Sequence, residues 1–411
     1  MGRRSHAHSP KRSSIATIRA ATVIVSVAFS FAGCRQILGD NFVLESDAGL
    51  FSTANCAETG YPLRPPAGQS LDQIEFVVAM RTDSYGDDKG PYKNLGFNLD
   101  QTCTRSVGPT SCQEPVWATA DHQDAPGGVD NASANILAGL NQGPAFANYD
   151  TLTENTGARA YLVRVRGYNG LADDDTVEVS FFSASTNPPP APVVTPGVAP
   201  PPVITPQWKG KDVWLVGGDW VDGNSVDSPK YVDHAAYVTG GALVAHFDTL
   251  QTGYPFGGYE TLDKVVLKAD IRVANGEHEL ANAVLAARWG LRSILGFTSL
   301  ATKRYPDCRD PREVPNDFNY WQALDKVCEY VDIRVEGDDP AASCDGISFA
   351  QAMHGIPAVL GDVFPGVSDT PCPAIFGPAL CEIVSQSADA ATAFDGGSVS
   401  LDASLVPEAH D

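Results

Sequence analysis

The 411-residue chain has little positive charge, with 28 Lys and Arg against 50 Asp and Glu, and its methionines number only 3. A formal net charge of −22 repels phosphate backbones, so nucleic acid is not an expected partner. Signatures of catalysis are missing too. There is no Gly-x-Ser-x-Gly elbow, no Gly-x-x-x-x-Gly-Lys phosphate loop and no dinucleotide fingerprint. No Cys-x-x-Cys pair occurs, which removes the usual zinc spacing. His278-Glu279-Leu280-Ala281-Asn282, on a segment with helical spacing, begins like a zinc-protease motif but has Asn where the second histidine must ligate. Beyond residue 34 no apolar run approaches the ~18 residues of a membrane helix.

What is present starts at the N-terminus. Residues 1–33 carry Arg3, Arg4, Lys11, Arg12 and Arg19 and no acid, and Ala20 to Gly33 is an uncharged stretch too short to cross a bilayer core of about 30 Å comfortably. That pattern is a cleaved signal. Phe31-Ala32-Gly33-Cys34 resembles the lipobox of bacterial lipoproteins, which implies lipid on Cys34 and a membrane-anchored protein. Phe31 departs from the usual Leu, and an ordinary secretory signal is the alternative. Arg35 stands where an Asp would resemble an inner-membrane retention signal, so the outer membrane or cell surface is the expected location.

Export makes the cysteines a disulfide framework. Setting Cys34 aside leaves an even number, and proximity in sequence points to Cys103 with Cys112, Cys308 with Cys328, and Cys372 with Cys381.

The chain divides by composition. After the 1–33 signal and a tether over 34–70, a β-rich domain is expected over 71–186. A proline-rich linker spans 187–206, a disulfide-stapled sandwich domain 207–385 and a disordered tail 386–411. A long loop inside one larger domain is the alternative for 187–206. Period-two alternation marks strands at Leu95–Asp100, Tyr161–Arg166, Val177–Phe181 and Lys264–Val273. Gly240-Gly241 centres a hairpin from His234 to Phe247, Asp130 or Asn131 caps a short helix carrying Ile136, Leu137 and Leu140, and helical spacing predicts a second helix over 279–295. The expected fold class is mainly β: one or two antiparallel sandwiches of the concanavalin or jelly-roll kind, with an added helix in the C-terminal half.

Asp100, Asp130, Asn131, Asn169, Asp173 and Asp174 place oxygen-bearing side chains in loops of an acidic exported protein, which is the chemistry calcium takes, and they are named as one shared calcium site. The same residue types form turns without any ion. Trp208, Trp214, Trp220, Tyr254, Phe256 and Tyr259 could stack on sugar rings or pack a core. His234 and His246 share the hairpin without being obvious partners.

Gly96-Phe97-Asn98-Leu99-Asp100 with Cys103-Thr104, Gly128-Val129-Asp130-Asn131, Arg164 to Gly170 with Asp173-Asp174, Ala236-Tyr237-Val238 and Cys344-Asp345-Gly346-Ile347-Ser348 together resemble uncharacterised surface lipoproteins of myxobacteria. The resemblance implies compartment and architecture and brings no catalytic residues. The expected function is a non-enzymatic surface binder of carbohydrate, with the membrane as its other partner through the lipid on Cys34. An anchored glycan hydrolase with two facing carboxylates in one groove is the alternative.

Overall fold

The computed structural model describes residues 60–68, 73–86, 95–104, 110–120, 123–139, 153–187, 204–253, 259–296, 318–365 and 378–393. All lie within the single unit Phe51–Asp411. The signal, Cys34, residues 35–59, Cys308, Cys372, Tyr254, Phe256 and the 394–411 end fall outside the described residues.

Among the described residues there are ten strands: β1 (Ile74–Ser84), β2 (Ala160–Tyr168), β3 (Asp174–Ser185), β4 (Val213–Gly217), β5 (Tyr231–Thr239), β6 (Ala242–Gly253), β7 (Tyr259–Ala274), β8 (Glu277–Gly290), β9 (Gly346–Pro357) and β10 (Val359–Phe364). Their order is β10-β4-β3-β2-β1-β9-β8-β7-β6-β5, and a further pairing of β3 with β5 closes eight of them into a barrel. This corrects the sandwich expectation. The strands are β-rich and antiparallel as read, but alternation along a strand is the same whether a sheet curls onto itself or faces a second sheet. Strands from both sides of residues 187–206 join the one barrel, so the two-domain division gives way to the single-domain alternative.

The barrel is filled. Met80, Val163, Phe181, Leu243, Leu267 and Leu285 are fully buried members of one apolar cluster that draws on every barrel strand. That polarity is the reverse of a membrane-spanning barrel, whose lumen is polar. One end is stoppered by helices: Ile136 of α1 (Ala132–Gly139), Leu324 and Val327 of α2 (Phe318–Glu329), Leu380 and Val384 of α3 (Pro378–Ala393), and Leu295 of the helical turn 291–296. At the other end His278 stacks on Phe76 with centroids 4.8 Å apart and meets the edge of Tyr168.

Apolar cover also lies outside the barrel. Trp214 and Trp220, both nearly inaccessible, bury the outer faces of β1–β3 together with Leu162 and Phe182, while Phe97 covers Val244, Val266, Ala286 and Ala350 over β6–β9. The tryptophans therefore pack; they are not a sugar platform.

The hairpin at Gly240-Gly241 forms as its turn residues require, with φ of 58° and 84° and Thr239 opposite Ala242. Four other expectations change. Residues 279–295 are mostly β8: a register break between Leu280 and Ala283, with Asn282 at φ 49°, shifts the inward set to Leu280, Ala283, Leu285 and Ala287, and the extra residue mimics helical spacing. Leu95–Asp100 is not a strand but makes one bridge, Phe97 to Asp130. Residues 61–68, assigned to the tether, lie on the barrel: Tyr237 Oη donates to Pro62 O (2.7 Å) and Thr239 Oγ1 to Leu63 O (2.9 Å). Helix α3 runs on to Ala393, into the segment expected as a tail.

Disulfide pairing by proximity also fails. Cys112 bonds Cys344 and Cys328 bonds Cys381, so Cys103–Cys112, Cys308–Cys328 and Cys372–Cys381 are not formed. Cys103 is itself disulfide-bonded. The helical plug brings remote segments together at one barrel end, and closeness in space replaces closeness in sequence.

Candidate functional site

A cleft of about 440 Å³ opens on the outer wall of β5, β6 and β7, within the usual range of roughly 300–1,000 Å³ for small-molecule sites. Its floor is Val232 and Asp233 of β5, His246, Phe247 and Asp248 of β6, and Lys264, Val265 and Val266 of β7. The other wall comes from Tyr61 of the strap 60–68 and from Asn98, Leu99 and Gln101.

Two non-glycine residues of this lining hold left-handed backbone, Gln101 at φ 56° and Lys264 at φ 49°. Lys264 sits where β7 slips against β8 between Asp263 and Val266, so that Leu262 and Val265 both enter the core and Lys264 is turned toward the cleft. Such conformations cost of order 1 kcal/mol or more each and collect at functional surfaces.

His246 is the central polar group. Asp233 accepts from the His246 amide through Oδ2 (2.8 Å) and from the Ala235 amide through Oδ1 (2.8 Å), so both its oxygens are engaged. The imidazole lies between the rings of Tyr61 (5.4 Å) and Tyr237 (6.5 Å). Burial holds its pKa below the ordinary value, against the pull of Asp233, so the ring is neutral at pH 7. Lys264 Nζ pairs with Asp248 Oδ1 at 3.3 Å on the rim, where Asp248 is almost fully exposed.

The far wall is pinned by carboxylates. Asp130 Oδ2 accepts from the Leu99 amide (2.7 Å), Asp124 Oδ2 accepts from the Thr104 amide (2.6 Å), and Arg288 donates to Leu99 O (2.6 Å). Gly128 lets Asn98 approach, since a Cβ there would stand 2.6 Å from Asn98 Nδ2. Burial, then mutual repulsion with Asp100 and Asp332, pushes Asp130 well above the carboxylate range and Asp124 up to about 8. Asp100 is raised as well, mainly by burial.

The six residues named for calcium do not meet. Asn131 donates to Tyr85 O beyond the end of β1, and α1 starts against Ser348 near the start of β9, which puts Asp130 and Asn131 at the plugged end. Asp100 joins them there through its coupling with Asp130 and Arg288. Asn169, Asp173 and Asp174 form the β2–β3 turn at the opposite end. There Asp174 accepts from the Asn169 amide (2.7 Å) and Asp173 from the Gly240 amide (2.8 Å). Among the described residues, no group of three or more His, Cys, Asp or Glu is arranged to hold a metal ion.

Of the cleft residues, sequence reasoning weighed only His246 for its chemistry, and not as a cleft group, while Asn98, Leu99, Phe247, Lys264 and Val265 were read as strand or hairpin positions. Tyr61 was read as tether, and Asp233, Asp248 and Gln101 carried no signal. One clue existed: between Leu262 and Val265 the strand alternation gains a residue, which marks the bulge at Lys264.

Comparison with known protein families, curated protein sequences and solved structures gives no match.

Proposed function

We propose that the chain is a lipoprotein anchored at the outer membrane or cell surface through Cys34, and that it binds carbohydrate in the outer-wall cleft without turning it over. The observation that carries this reading is the cleft itself, whose lining retains two strained residues, Gln101 and Lys264, where glycine would cost less. Its surfaces suit a sugar: the exposed amide of Gln101, a neutral imidazole from His246, and the ring of Tyr61.

The hydrolase alternative needs a carboxylic acid kept protonated beside a free carboxylate. The cleft does hold two carboxylates, but Asp233 has both oxygens on backbone amides and Asp248 is exposed and paired with Lys264. That arrangement favours binding over catalysis.

The test uses the secreted Cys34→Ser chain against neutral oligosaccharides by titration calorimetry, with Gln101→Ala as the cleft variant. Saturable binding weakened by Gln101→Ala is expected. Absence of binding to any oligosaccharide would sink the carbohydrate reading. For the anchor, wild type should partition with membranes and carry acyl mass on the peptide beginning at Cys34, and recovery of unlipidated wild type would sink that part.

A further inference from the structure

We propose that the cleft selects an uncharged polyhydroxylated ring, a neutral hexopyranose unit, and that the His246 imidazole is the group that reads its hydroxyls. This rests on the carbohydrate-binding reading above and adds the ligand's charge class and the residue that senses it.

The argument starts from a count of charge inside the cleft. Asp233 is saturated by the Ala235 and His246 amides, so a cationic ligand gains little from it without breaking the β5–β6 wall. Asp248 and Lys264 neutralise each other at 3.3 Å, so a ligand carboxylate or ammonium would have to compete with a partner already in place. Arg64, a further cation that acts on His246, lies over the Tyr237 ring at 4.9 Å and donates to Asp175 O (2.6 Å) and to Ala235 O. No lining charge is left over for an ion pair.

The imidazole differs from these groups. It is held by ring contacts with Tyr61 and Tyr237, and its amide, not its ring, is what bonds Asp233. A neutral imidazole offers one N–H donor and one acceptor, and a sugar hydroxyl, itself donor and acceptor, can bond either nitrogen. The charged and titratable groups facing it are Asp233 and Tyr237 of β5, Asp248 of β6, Lys264 of β7, and Tyr61 and Arg64 of the strap. Protonation would remove the acceptor and place a cation beside Arg64 and Lys264. Ligand affinity should therefore be flat above the imidazole range and fall as pH drops below it.

The experiment is titration calorimetry of the secreted Cys34→Ser chain with neutral gluco-, galacto- and manno-oligosaccharides and with their amine- and carboxylate-bearing counterparts. Each is run at about physiological and at several-fold higher ionic strength, because salt removes attraction to the protein's overall negative charge. At least one neutral oligosaccharide should bind at both salts, and its charged counterparts about tenfold more weakly at high salt. Equal or tighter binding of a charged counterpart at high salt overturns this inference and leaves the carbohydrate reading standing; no binding by any overturns both. His246→Gln keeps a donor and an acceptor but does not titrate. It should bind within about threefold of wild type with a flat profile from about pH 5 to 8, whereas His246→Ala should lose at least about tenfold. A wild-type profile that is flat over that range, or a His246→Gln profile that still falls, removes His246 from the reading role.

Discussion

Cys112 is bonded to Cys344 across 232 residues of sequence, and both are almost wholly buried where the helical plug meets the start of β9. A cross-link over so long a loop restricts the unfolded chain strongly. Removing it is expected to cost about 2–5 kcal/mol. Cys112→Ser and Cys344→Ser should be destabilised alike in urea, and the double variant no more than the worse single, because the two side chains form one interaction. Non-reducing peptide mapping supplies the decisive readout: a peptide linking Cys103 to Cys112 would refute the pairing.

The acid cluster beneath the cleft predicts a pH dependence of stability. Asp124 is raised to about 8 in the fold, against an ordinary aspartate value near 4 in the unfolded chain. A raised folded pKa means that its contribution is complete below the unfolded value and is lost as pH rises toward 8. Between those limits the native state holds more protons than the unfolded state, so stability falls with pH, and Asp130 extends the trend in the same direction. Asp124→Asn does not titrate. Its stability relative to wild type should climb steadily from about pH 4 to 8 in urea titrations, and a difference that is constant over that window would remove Asp124 from the account.

Lys264 links strain to the cleft. Glycine at this position accepts φ 49° without a Cβ penalty, so Lys264→Gly is expected to raise stability by about 1 kcal/mol, less whatever the exposed pair with Asp248 contributes. Oligosaccharide binding should weaken in the same variant. A variant that is more stable and binds unchanged would show that the strain serves the bulge alone.

How much of this was legible in the sequence depends on which interactions were local. The Gly240-Gly241 hairpin and the strands β2 and β3 were readable because turn chemistry and alternation lie within a few residues. Barrel closure was not, since the β3–β5 pairing of Phe181 with Tyr231 joins strands separated by β4 and carries no local signature. Asn169, Asp173 and Asp174 were recognised as a cluster, but turn formation and metal binding use the same oxygens, and the backbone amides of Leu171, Gly240 and Asn169 took them. The cleft was invisible for another reason: Tyr61, Gln101, Asp233 and Lys264 come from four segments, and only the fold makes them neighbours.

Arg164 provides the last prediction. It faces outward from β2 yet is only 1% exposed, packed over the Phe182 ring at 5.3 Å, with Asp227 3.6 Å from Nη1 and no hydrogen-bond partner for Nε or Nη2. Burial lowers its pKa, ahead of repulsion from Arg166. Taking a guanidinium out of water costs several kcal/mol, and one partner beyond hydrogen-bond distance offsets little of it. Its contact with Phe182 returns about 2 kcal/mol. Methionine fills a similar volume without the charge, so Arg164→Met is expected to range from neutral to about 4 kcal/mol more stable. Asp227→Asn is expected to destabilise in wild type and to keep most of that effect in the Arg164→Met background, because Asp227 bonds Arg166 at 2.7 Å and lies 3.6 Å from Arg164. Urea titrations of the four chains measure both effects. A loss of more than about 2 kcal/mol on Arg164→Met would mean that the buried cation holds the 221–230 loop through interactions stronger than its observed contacts supply.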